Sequence, residues 1–225
     1  MPASIDQIIR SRRKTIAILV QKDGKVIVRA PLKAPERLIH AFVESKSAWI
    51  NEKKALALQH VNVPARKFID GEKFLLLGKQ VPLRVVDERT ALTFQDGFLL
   101  SRQAQPKALA IFEKWYKAQA VKVLSERVIY YSAIHGFHYE KIRITSARTR
   151  WGSCSSRGTL SFTWRLVMAP LGVVDYVVIH ELAHLKIKNH SNIFWNEVAR
   201  LMPTYKSSRD WLKKNGRLLT LDGDE

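Results

Sequence analysis

Asp175-Tyr176-Val177-Val178-Ile179-His180-Glu181-Leu182-Ala183-His184 is the stretch from which the rest of this 225-residue chain is read. Val177, Val178, Leu182 and Leu185 set apolar residues around it, which predicts a helix over 175–188 inside an apolar segment that Pro170 opens. On a helix, residues four apart stand one turn above each other on the same face. Imidazoles at His180 and His184 therefore reach one Zn2+ ion at about 2.0–2.1 Å. Glu181 stands beside the first imidazole, where a carboxylate meets a water on the ion without ligating it, the position of a general base. The chemistry implied is hydrolysis: the ion lowers the pKa of water and polarises a carbonyl while Glu181 takes the proton.

A third ligand is needed to leave one coordination position open. His190 follows His184 by six residues, the histidine spacing of the metzincin pattern H-E-x-x-H-x-x-G-x-x-H. Ile187 stands where that pattern has glycine, so the chain has to turn by another route, and Asn189, which tolerates left-handed backbone, is the expected pivot. Two alternatives stay open. His190 is a polar residue of the turn before Ser191, the expected cap of the next helix, or Glu197 from that helix is the ligand instead. His40, His60, His135 and His138 are expected to have ordinary surface or packing roles.

Upstream of the motif lies Arg148-Thr149-Arg150-Trp151-Gly152-Ser153-Cys154. One reading makes the strands around it an edge to which an extended peptide adds, with Arg148 or Arg150 binding a carboxylate or phosphate. The other makes it a tight packed turn, with Gly152 for backbone freedom and Trp151 and Cys154 in the core. Tyr176 and Tyr205 are both candidates to donate to an oxyanion.

The remaining sequence predicts an α+β fold. A hairpin is expected over 15–30 around Asp23-Gly24. One helix follows from Pro35 to about Gln59, with Leu38, Ile39, Phe42, Val43, Trp49 and Ile50 on one face. Short strands are expected at 73–77, 81–86, 92–94 and 98–100, then a long helix from 104 and strands at 141–146 and 159–163. Ser207 or Ser208 is expected to cap a last helix, closed by Gly216. The pattern divides near residue 103 into a β-rich N-terminal module with one helix, 1–103, and a second domain, 104–225, carrying a small sheet and the H-E-x-x-H helix.

Composition sets further bounds. With 46% hydrophobic and 26% charged residues the chain is not a disordered one. No apolar run approaches the ~20 residues of a membrane span, so no membrane partner is expected. The single cysteine, Cys154, rules out an internal disulfide and a thiolate zinc cluster, and a cytoplasmic setting is expected. The unusual quantity is charge: 38 Lys and Arg against 20 Asp and Glu, formally +18. Such an excess favours phosphate polymers, so DNA or RNA enters as a partner beside a protein or peptide substrate. The rival class is a nucleic-acid-binding protein with a structural zinc, which would need a fourth protein ligand.

Arg150-Trp151-Gly152-Ser153-Cys154, the run 175–184, and Asn189-His190-Ser191 with Phe194-Trp195 together resemble the YgjP-like metallopeptidases. The likeness extends to Ser11-Arg12-Arg13-Lys14-Thr15 and to the run 211–216. It implies a zincin-like catalytic domain related to the SprT and WLM groups. Carried over by motif, it implies His180, His184 and His190 as ligands and Glu181 as the catalytic residue, favouring His190 over Glu197. Thr163 departs from the asparagine common in that family, which questions a role for position 163 only. Relatives of the SprT group act on proteins attached to DNA, an analogy that suits the charge.

Overall fold

Strands β1 (Gln7–Ser11), β2 (Ala17–Val20) and β3 (Val26–Pro31) form one sheet, ordered β1-β3-β2, in the computed structural model, which describes residues 4–21, 23–58 and 63–223. The β2–β3 hairpin is the one expected from Asp23-Gly24: Gly24 takes φ 82, a conformation cheap only for glycine, and Lys22 lies outside the described residues. β1 pairs in parallel with β3 and was not legible beforehand. Val26, Val28 and Ala30 point inward against Ile39 and Val43 of α1 (Glu36–Ser45) and Ile50 of α2 (Ser47–Leu58). The single expected helix is thus two, broken at Lys46. Leu38 and Trp49 are exposed rather than sharing the buried face, because at about 100° per residue both fall to the side of the Ile39, Val43 and Ile50 stripe. Gln59 and His60 lie outside the described residues.

These elements form a first unit, 1–62, and the rest of the chain a second, 63–225. In the second, β4 (Lys73–Leu76), β5 (Lys79–Val86), β6 (Leu92–Phe94) and β7 (Phe98–Ser101) make a sheet ordered β4-β5-β7-β6. A 3-10 turn containing Pro106 leads into α3 (Ala108–His135), which the sequence starts a few residues earlier. Its buried stripe, Ala108, Phe112, Tyr116, Ala120, Leu124 and Val128, repeats every four residues. Phe112 meets Phe74 and Phe98 at ring centroid distances of 4.6 and 4.9 Å, so the sheet and α3 share one core. The change of pattern near residue 103 falls within this unit, at the head of α3.

A second sheet carries the site. β8 (Lys141–Thr145), β9 (Gly152–Cys154) and β10 (Thr159–Thr163) are ordered β8-β10-β9, which leaves the three-residue β9 at the edge. Thr163 closes it structurally, donating to the Ala147 carbonyl at 2.8 Å. Helices α4 (Leu171–Lys186), α5 (Asn192–Leu201) and α6 (Tyr205–Asn215) complete the α+β architecture. α6 starts after Thr204, so Ser207 and Ser208 lie inside it, and Ser208 instead donates to the Gly172 carbonyl of α4 at 3.1 Å.

α4 is apolar almost all round because it is buried almost all round: Val174, Val178, Ile179, Leu182 and Ala183 are at most 1% exposed. Each of the larger ones contributes about 1.5–3 kcal/mol relative to an exposed side chain. Arg127 of α3 grips Asp175 of α4 through two bonds of 2.6 and 3.0 Å, fixing the helix in register. No helix among the described residues is long and apolar enough to cross a membrane.

Candidate metal centre

α4 brings its two histidines to one face, as the spacing requires. It ends at Lys186, where Ile187 becomes extended at φ −125°, ψ 106°. That change lets the Ile187 carbonyl face back to His184 Nδ1 at 2.9 Å. With a proton on Nδ1 donated there, Nε2 of His184 keeps its lone pair. Asn189 is not the left-handed pivot expected, since the non-glycine residues with positive φ among those described are Phe68 and Leu77. Instead extended Ile187 redirects the chain, and the Asn189 side chain accepts from the Ser191 backbone N–H at 3.4 Å. Ser191 occupies the N-cap of α5 without a side-chain capping bond.

The turn returns His190 over α4. Its Nε2 lies 3.0 Å from His180 Nε2 and 3.2 Å from His184 Nε2, and the three ring nitrogens all lie within 4.8 Å of one another. Tetrahedral ligands about 2.0–2.1 Å from zinc stand roughly 3.3 Å apart, close to the 3.0 and 3.2 Å that separate His190 from the other two nitrogens. Three convergent imidazole nitrogens are a borderline-soft donor set that suits zinc well. Phe194 of α5 packs beneath all three rings, with centroids 4.4 Å from His184 and 4.9 Å from both His180 and His190.

Glu197, the competing third ligand, is turned elsewhere: Arg200 holds its two oxygens at 2.8 and 2.9 Å, and it is outside the histidine cluster.

Burial disfavours charge at the cluster. It pushes the His180 imidazole down to about 3, with the neighbouring His184, His190 and Arg209 adding to the effect. Burial also lowers His184, partly opposed by its bond to the Ile187 carbonyl. Both rings are held neutral, the form that binds metal.

Glu181 is 4% exposed, and burial pushes its carboxyl up to about 8 against the opposing charge of Arg150. Its Oε2 is buried without a hydrogen-bond partner, as is His180 Nδ1. Gly152 of β9 lies directly over the Glu181 side chain. Gly152 is thus required for space and not for the backbone freedom expected of a tight turn, since its φ is not positive, and Trp151 and Cys154 are half-buried beside the core and not within it; β9 is an edge strand beside the cluster. Trp151 is pinned by Gly216, where an added β-carbon would come within 2.7 Å of the indole. Arg148 is engaged by Asp222, which leaves Arg150 as the exposed cation of that run near Glu181.

A cavity of about 330 Å³ opens from His180 and Glu181, bounded by Trp151, Gly152, Tyr176, Val177, Arg209, Leu212 and Lys213. Of the two candidate tyrosines, Tyr176 lines it, its phenol pushed up to about 12 by burial and so kept as a donor. Tyr205 is buried and stacked on Tyr176 at 6.4 Å. Sequence reasoning missed Arg209, which no motif marks and which the mistaken start of α6 placed at a helix end.

A family model described as YgjP-like, metallopeptidase domain, matches residues 14–215. No curated protein matches the chain. Among solved structures, the metallopeptidase zymogen of Pyrococcus abyssi abylysin is 27% identical, over 42% of this chain and 96% of that one, with a TM-score of 0.38. The zymogen of Methanocaldococcus jannaschii jannalysin is 25% identical, over 44% of this chain and 96% of that one, with a TM-score of 0.34. Superpositions at that level carry no argument about fold or activity.

Proposed function

Since the chain belongs to the YgjP-like family of metallopeptidases, we propose that it hydrolyses peptide bonds with one zinc ion held by His180, His184 and His190 and with Glu181 as general base. The family makes the protein a hydrolase with a catalytic metal. The observation that carries the finer reading is the convergence of three Nε2 atoms, 3.0 and 3.2 Å apart, beside a buried carboxylate with an unpartnered oxygen. When bound, zinc supplies Lewis acidity, polarising the substrate carbonyl and acidifying water at the open coordination position.

The protein's own groups do the rest. His184 is oriented by its Nδ1 bond to Ile187, and Phe194 supports all three rings from below. Glu181, buried beside the cluster with one oxygen free of any hydrogen bond, accepts the proton of the attacking water and passes it to the leaving nitrogen. Substrate backbone lies along the edge strand β9, whose outer side has no neighbouring strand among the described residues. Tyr176, kept protonated, donates to the carbonyl oxygen as charge develops there.

The reading extends to substrates held on nucleic acid, supported by the formal charge of +18, and to a reducing, cytoplasmic setting, supported by the single cysteine. Glu181→Gln tests the core of it. The variant is expected to retain one equivalent of zinc and to lose peptide cleavage; retained cleavage would remove Glu181 as the base. Affinity for DNA and RNA, measured against salt, tests the extension, which fails if neither binds at low salt.

A further inference from the structure

Metal binding does not account for the cavity beside the histidines. Of its lining, His180, Glu181 and Tyr176 belong to the proposed catalytic set, and the other six residues do not. Buried Val177 and Leu212 and the Trp151 indole give it apolar lining, and the exposed Arg209 lines it too. A cavity of about 330 Å³ holds one substrate side chain.

Arg209 differs from the many other surface cations of this basic chain in being held in place. Its guanidinium lies over the Trp195 ring, 4.5 Å from the centroid. That indole also stacks with His190 and with Tyr205, at 5.7 Å from each with interplanar angles of 24° and 19°. The platform under Arg209 is thus continuous with the histidine cluster. Among the described residues no carboxylate forms an ion pair with Arg209, and Glu181 is the one acidic residue in the cavity lining. A guanidinium seated on an aromatic face keeps its in-plane N–H donors for a two-pronged bond to a carboxylate.

We propose that this cavity receives a carboxylate of the substrate next to the bond being cut, with Arg209 as its anchor and Val177, Leu212 and Trp151 covering the apolar stem. The inference rests on the peptidase reading above. The carboxylate has two sources, an Asp or Glu side chain and a free chain terminus.

The test measures binding, so it does not depend on turnover. Fluorescent peptide libraries are titrated against zinc-loaded Glu181→Gln protein, carrying Glu or its neutral counterpart Gln at each position in turn, and ending in a free acid or an amide. A carboxylate is expected to tighten binding at least tenfold at one position. Arg209→Met in the same background is expected to remove that discrimination, Arg209→Lys to keep part of it, and Arg209→Glu to favour Lys-containing peptides. A Glu-over-Gln preference assigns the side-chain source, and an acid-over-amide preference assigns the terminus. Equal binding of acidic and neutral peptides, or discrimination that survives Arg209→Met, overturns the proposal. If wild-type protein cleaves no peptide while Arg209-dependent discrimination persists, the peptidase reading fails and the carboxylate site stands. Cleavage by wild type without discrimination has the opposite consequence.

Discussion

Gly152 of β9 and Glu181 of α4 approach so closely that a β-carbon on Gly152 would lie 2.5 Å from Glu181 Oε1, 2.7 Å from Cγ and 2.8 Å from Cδ. The contact involves the stem of Glu181 as well as its tip, so turning the carboxylate alone does not relieve it. Gly152→Ala is expected to displace the proposed base while leaving the three histidines in place. A displacement on the order of 1 Å costs about 10²-fold in rate. The check is kcat beside zinc content: a hundredfold loss of kcat with full zinc occupancy is expected, and unchanged kcat would show that Glu181 position is not critical.

The Arg127–Asp175 pair joins α3 to α4 with side chains only 18% and 11% exposed. Breaking it from one side leaves a buried charge without its partner. Arg127→Met or Asp175→Asn alone is expected to destabilise the protein by about 3–5 kcal/mol, and the double replacement by less than either. Denaturant unfolding of the four proteins measures the coupling. Additive losses would mean that the pair does not act as a unit.

The histidine helix was legible because its information is local: four-residue spacing, an apolar surround and an adjacent carboxylate all lie within 175–188. His190 was legible for the same reason, six residues on. The strands at 73–101 carried their own turn signals and formed close to where they were expected. What escaped reading depends on distant partners. β1 alternates poorly, being exposed at four of its five positions, and exists through parallel pairing with β3. β9 is three residues long and is a strand only because β10 returns beside it. Arg209 and Gly152 gain their significance from α6 and β9 folding against α4, which no local pattern expresses.

Metal-free protein is expected to show two opposed pH limbs. Glu181 is raised from its usual 4.5 to about 8, so the folded state holds its proton more firmly than the unfolded one. That contribution is complete below about pH 4.5 and is lost as pH rises through 8, on the order of 4 kcal/mol in full. His180 is lowered from 6.5 to about 3, so its contribution is complete above 6.5 and is lost as pH falls toward 3. Glu181→Gln deletes only the alkaline limb. Its stability relative to wild type, both metal-free, is expected to improve steadily from pH 4.5 to 8. A pH-independent difference would contradict the burial-driven shift.

The choice between His190 and Glu197 as third ligand is open to a direct comparison. His190 Nε2 lies within 3.2 Å of both helix imidazoles, whereas the Glu197 carboxylate is occupied by Arg200. His190→Ala removes a donor that faces the proposed ion. It is expected to weaken zinc binding by more than the roughly 10–100-fold that loss of an outer partner costs. Glu197→Gln removes a surface ion pair, worth about 0–1 kcal/mol, and is expected to leave zinc affinity unchanged. Competition with a metal-chelating dye gives both affinities. The reverse pattern, tight zinc without His190 and weak zinc without Glu197, would transfer the ligand to α5 and require that helix to turn its Glu197 face toward α4.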